Sequence, residues 1–208
     1  MKEKPTKERI IEAALSLFEE YGYHAVTVDT IVQKSETSKG GFYHNFKSKD
    51  ELLYTIHDSF ITYVLDKATE AYEKYDSPEE RLYETIKSFV MMFDMYRSHV
   101  TVFYQESLYL SAEYEKVIKE KRDKYKNMMM TIVKEGMDSG VFRKEVPIEI
   151  MSMAIFGMIN WTYKWYKATG KYSIEEISMM YADIVMHAVL TKQGIDKEEN
   201  EHFFLKTK

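Results

Sequence analysis

No cysteine occurs among the 208 residues, only three prolines and eight glycines do, and the longest uncharged run is Ile150 to Tyr163. Without cysteine there are no disulfides, no thiolate zinc site and no thiol nucleophile, which fits a reducing compartment and makes the cytoplasm the expected location. An uncharged run of that length falls short of the roughly 20 residues that span a bilayer, so no membrane segment is expected. The first twenty residues, MKEKPTKERIIEAALSLFEE, are charged at both ends and hold no long apolar stretch, so no secretory signal is expected. The chain has no G-x-S-x-G, P-loop or dinucleotide fingerprint. Its single Glu-x-x-His, Glu199 to His202, falls in the tail, and Asp183 with His187 supplies two ligands on one helix face, too few for a metal site. The chain is therefore read as a non-enzyme, with no cofactor and no metal.

What is present is helical periodicity and charge. Hydrophobic residues make up 45% of the chain, ample for a buried core. The net charge is -5, but residues 1–50 carry eight basic and eight acidic side chains, so the remainder holds the whole excess. Between Lys34 and Lys49, Lys34, Lys39, Lys47 and Lys49 face only Glu36, a local basic surface that phosphate can feel within a Debye length of about 8 Å.

That basic stretch lies within TVDTIVQKSETSKGGFYHNFKSK, Thr27 to Lys49, which reads as helix, turn, helix, and the start of a further helix. Phe42 and Phe46, four apart, are expected to point into a small core, leaving Lys39, Gly40, Gly41 and Tyr43 outward. Adjacent glycines cost a helix about 1 kcal/mol each relative to alanine, which close approach to a nucleic-acid strand would offset. A tight helix–helix contact is the alternative. Lys39 could reach guanine acceptors, and Tyr43 and His44 could donate to phosphates; Thr27, Thr37 and Ser38 complete the candidate contacts.

Thr27 to Leu53, ending FYHNFKSKDELL, resembles the N-terminal DNA-binding domain of TetR-type transcriptional regulators. The resemblance implies an all-α chain with three DNA-binding helices and a larger helical C-terminal domain that dimerises and holds a ligand. It implies double-stranded DNA as partner, repression as the mode, and a phosphate contact at Lys49. Where members of that family usually have glycine in the turn, this chain has Glu36, which is expected to hold a left-handed conformation at some cost. Lys2, Lys4 and Lys7 could add a basic arm, or be a solvated terminus.

About nine helices are expected: Thr6 to Tyr21, two in the motif, one from a Ser48/Glu51 capping box to about Tyr75, one from Ser77-Pro78 to Tyr96, then Val100–Leu110, Ala112–Asp138, Pro147–Lys167 and Ser173–Lys192. The expected organisation is a DNA-binding domain over 1–50, an effector-binding and dimerisation domain over 51–194, and a frayed tail over 195–208.

All methionines except Met1 lie after residue 90, and both tryptophans lie in NWTYKWY. Methionine lines adaptable apolar surfaces, although an ordinary methionine-rich core would read the same way. Candidate effector contacts are Met91, Met95, Tyr104, Met128, Met158, Trp161 and Trp165. Candidate dimer-interface residues are Tyr163, Tyr166, Tyr181, Ile184 and Ala188, the last three on a helix whose apolar residues recur at three and four. The segment FGMINWTYKWY resembles the acyl-CoA-responsive, FadR-like branch of TetR-type regulators. That implies an acyl-CoA effector, its phosphates near Arg97, Lys164 or Lys167. A helical scaffold binding proteins rather than DNA is the competing class, separable by salt dependence.

Overall fold

The computed structural model describes residues 4–206 and is all-helical among them. It has eleven α-helices: α1 Thr6–Tyr21, α2 Val28–Lys34, α3 Lys39–Asn45, α4 Lys49–Lys74, α5 Pro78–Met95, α6 Arg97–Glu106, α7 Ala112–Ser139, α8 Ile148–Asn160, α9 Thr162–Trp165, α10 Ile174–Val189 and α11 Lys192–Ile195. Two 3-10 turns, Ser107–Tyr109 and Glu198–Phe203, complete the described elements. The chain divides into two compact units, Met1–Thr62 with Tyr96–Glu120, and Tyr63–Met95 with Lys121–Lys208.

In the first unit the apolar stripe of α1 (Ile10, Ala14, Leu17, Phe18) meets Ile31 of α2, Phe42 of α3 and Leu52, Leu53 and Ile56 of α4 in one core. Val102 of α6 belongs to the same core, and α6 packs along α1. The helix starts follow their sequence signals. Thr27 caps α2 in a reciprocal pair with Thr30, and Ser38 caps α3 by accepting from the Gly41 amide at 3.0 Å. Ser48 accepts from the Glu51 amide at 3.0 Å, while the Glu51 carboxylate turns back to the Lys47 amide, one residue before the expected reciprocal partner.

In the second unit α5 packs against α10, with α8 and α9 beside α5. Ser173 and Glu176 form the full capping box of α10. The α7–α8 connection is pinned to the end of α10: Phe142 pairs with Leu190, and the Arg143 amide donates to the Val189 carbonyl at 2.9 Å.

Two expectations are corrected. The helix anticipated over 147–167 breaks at Trp161 into α8 and α9, and Tyr166 is already extended. The tail is not frayed over 195–206: Phe203 is buried against the Tyr83 ring at 5.0 Å, Phe204 lies on His187 at 4.4 Å, and the Asn200 amide donates to the Gly194 carbonyl at 2.7 Å. Two adjacent aromatics in a charged tail are enough apolar area to dock it.

Candidate nucleic-acid interface

The turn between α2 and α3 is a Schellman-type cap. The Thr37 amide donates to the Val32 carbonyl and the Glu36 amide to that of Gln33, which places Glu36 in the position where glycine is favoured. Its φ is 51°, as the family resemblance implies, and it is the one non-glycine residue with positive φ among those described. Arg9 of α1 donates to the Glu36 carbonyl at 3.4 Å, and Ser35 and Thr37 hydroxyls join at 2.9 Å. Left-handed backbone costs a side-chain-bearing residue about 1–2 kcal/mol. Glu36→Gly is accordingly expected to stabilise the chain by about 1 kcal/mol, read as a higher midpoint in thermal unfolding.

Beyond that turn α3 is held from one side only. Phe42 and Phe46 are buried, and Ser38, Lys39, Gly40, Tyr43 and His44 are exposed, with Tyr43 at 55%. An added Cβ at Gly40 would meet nothing nearer than 3.7 Å, and at Gly41 nothing nearer than 3.4 Å, so no tight helix–helix contact requires the pair. The glycines instead leave a bare backbone strip on the outward face, where the N-cap end of the helix carries positive partial charge. Lys39 lies at the start of this face with its ammonium 2.7 Å from Asp29 of α2. Thr27 is exposed at the α2 cap, and Thr37 is half-buried in the turn. Lys2 lies outside the described residues, and Lys4 is paired with Glu12 at 2.6 Å.

Lys49 departs from the sequence reading. Its ammonium does not extend from the α4 N-terminus toward a phosphate; it donates to the Tyr23 carbonyl at 2.8 Å and the Val26 carbonyl at 2.6 Å and lies 4.1 Å from the Tyr23 ring centroid. Burial holds its pKa below the usual lysine range. Burial, with Asp50 adding a smaller push, raises the Tyr23 hydroxyl to about 12, so the ring under the ammonium stays neutral. A cation at a helix N-terminus is thus stabilised by carbonyls of the α1–α2 loop rather than by a ligand. Lys49→Met keeps the stem and removes these bonds. It is expected to lower stability by about 1 kcal/mol, discounted for partial exposure. An unchanged urea midpoint would return this lysine to the DNA-contact set.

Tyr104, among the proposed effector contacts, is half-buried in the first unit; the other six lie in the second. Met91, Met128 and Met158 are half-buried, and Met128 borders a shallow surface groove with Leu65, Thr69 and Tyr72. Met95 is 61% exposed. Trp161 is 61% exposed and Trp165 44%, so both are on the surface. Tyr166, read as an interface residue, is buried within the second unit and donates to Asp94 at 2.7 Å. Tyr163 is half-buried, Tyr181 is half-buried beside Trp165, and Ile184 and Ala188 are exposed. Ile150, which the sequence reading did not single out, and Met153 and Met179, which it placed only in the methionine clusters, are exposed on α8 and α10. Among the described residues, no group of three or more His, Asp or Glu could hold a metal, and no helix is long and apolar enough to cross a membrane.

Known proteins agree with this arrangement. Residues 10–55 match the profile of bacterial regulatory proteins of the tetR family, and residues 75–189 match the tetracyclin repressor-like C-terminal domain. The HTH-type transcriptional repressor KstR2 of Mycolicibacterium smegmatis is 24% identical over 189 residues, 90% of this chain and 92% of that protein. The fatty acid metabolism regulator protein of Bacillus subtilis is 24% identical over 194 residues, 92% of this chain and all of that one. The fold is shared with AibR, crystallised with isovaleryl coenzyme A and operator DNA, at a TM-score of 0.74 and 22% identity over 86% of this chain and 97% of that one. With an N-terminal helix-turn-helix whose second helix is outwardly bare and a helical C-terminal unit, both matched by their own profiles, the chain belongs to the TetR family of transcriptional regulators.

Proposed function

We propose that the chain is a cytoplasmic homodimeric repressor that leaves a palindromic operator when a long-chain acyl-CoA binds its C-terminal unit. The observation that carries the DNA reading is the outward strip of α3, where Lys39, Gly40, Tyr43 and His44 are exposed over buried Phe42 and Phe46. Two such helices in successive major grooves would read half-sites about 10 base pairs apart. Exposed Ile150, Met153, Trp161, Met179 and Ile184 on α8, its C-cap and α10 support pairing with a second copy through these helices.

The acyl-CoA assignment rests on buried polar chemistry in the second unit. Thr85 Oγ1, Ser152 Oγ, Asn160 Oδ1 and Thr162 Oγ1 are buried without hydrogen-bond partners. Unpartnered hydroxyls of this kind can donate to the carbonyl of a neutral thioester. The regulator of fatty acid metabolism and the AibR complex among the similar proteins support the same ligand class. A ligand acts only through its preference for the non-binding state, so release measures that preference.

The test is fluorescence anisotropy of the purified chain on DNA from upstream of its own gene, with palmitoyl-CoA, palmitate or CoA added. Salt-sensitive binding released by palmitoyl-CoA alone is the expected result. Salt-sensitive binding indifferent to all three removes the acyl-CoA assignment and keeps the DNA-binding one.

A further inference from the structure

Asp29 is an acidic side chain on the surface described above, and it is already committed to a partner. Asp29, in the first turn of α2, lies 2.7 Å from the ammonium of Lys39, the first residue of α3. Both side chains are about two-thirds exposed, so the pair adds little to folding. Its position matters more than its strength. Lys39 leads the bare face of the recognition helix, where an unpaired lysine would attach to any phosphate.

We infer that Asp29 is a specificity-determining residue that screens Lys39 from generic phosphate, leaving the lysine to a correctly placed acceptor pair on an operator base. This rests on the DNA-binding reading. A lysine that neutralises one phosphate contributes about 0.9 to the slope of log affinity against log salt on any sequence. With a carboxylate beside the ammonium, a phosphate must displace Asp29 or be brought close to it, and either loses most of that gain. A guanine presents O6 and N7 in the major groove as neutral acceptors, and these repel the neighbouring carboxylate less than a phosphate does. The pair therefore weakens non-specific attachment more than specific reading. Other charges near the pair in sequence are Lys34, Glu36 and Lys47, all exposed and none bonded to it.

The experiment compares full-length wild type, Asp29→Asn, Lys39→Gln and the double variant by anisotropy, on upstream DNA and on a scrambled duplex of the same composition, across a salt series. Asp29→Asn is expected to bind the scrambled duplex about three- to ten-fold more tightly at low salt, with a slope steeper by about one, and to lose discrimination between the two duplexes. Adding Lys39→Gln is expected to abolish that gain. An Asp29→Asn slope and scrambled-duplex affinity equal to wild type overturn the inference while wild-type binding remains salt-sensitive. A gain that survives Lys39→Gln also overturns it, since the effect would then be general charge. A wild type that binds neither duplex in a salt-dependent way overturns the DNA-binding reading itself.

Discussion

Phe42→Ala is expected to remove about 3–5 kcal/mol of stability and to abolish operator binding. The ring is completely buried, tilted against Phe46 at 5.8 Å, in the core that joins α1 to α4. α3 has only seven residues, two of them glycine, and a helix that short does not persist without tertiary support. The two phenylalanines supply most of that support; Gly41 and Asn45 are half-buried, and the rest of the helix faces outward. Truncation leaves a cavity under the strip that carries Lys39, Gly40 and Tyr43, and the strip loses its fixed geometry. Hydrogen exchange should report free exchange of the α3 amides while α10 stays protected. Phe42→Leu, which keeps most of the volume, is expected to cost about 1 kcal/mol and to retain binding. Wild-type affinity in Phe42→Ala would mean that α3 is held by something other than its buried face.

The second large effect lies in the other unit. Gly136 of α7 faces the Phe142 ring so closely that an alanine Cβ would stand 2.1 Å from Cδ2 and 2.4 Å from Cε2. The ring cannot retreat easily. It is fully buried, its amide donates to the Gly136 carbonyl at 2.9 Å, and its neighbours are tied to the end of α10 through the Val141 carbonyl to Thr191 and the Arg143 amide to Val189. Gly136→Ala would gain about 1 kcal/mol in helix propensity and is nevertheless expected to lose about 3 kcal/mol net from overpacking. Combining it with Phe142→Leu should cost less than the two single effects together, because the smaller side chain relieves the overlap. Additive costs in thermal unfolding would show that the contact is not the cause.

Features governed by neighbours three or four residues away were legible in the chain. The burial of Phe42 and Phe46 and the caps at Ser77 and Ser173 follow from local spacing and cap chemistry, and the left-handed Glu36 follows from the family resemblance, which puts glycine in that turn. Features set by distant partners were not. Lys49 finds its carbonyls 23 and 26 residues upstream, so its charge and its helix position pointed to phosphate while the tertiary fold had claimed it. The break at Trp161 has no proline or glycine at the site to announce it. Phe203 reads as part of a charged, solvated tail until Tyr83 is brought beside it. The grouping of α6 with the DNA-binding helices depends on Val102 entering their core, which no local pattern reveals.

The pairing of α5 with α10 has a consequence for how the protein is made. The buried row on α5 (Leu82, Ile86, Phe89, Val90 and Phe93) packs in part against Tyr125 of α7 and in part against α10, which begins about eighty residues later, so at roughly 5–20 residues per second the ribosome leaves that second side waiting about 4–16 s. Collapse of a short chain takes microseconds, so the wait is long on that scale and the row is an inviting site for self-association or chaperone capture. A message cut before α10 should therefore yield a sticky fragment rather than a smaller regulator.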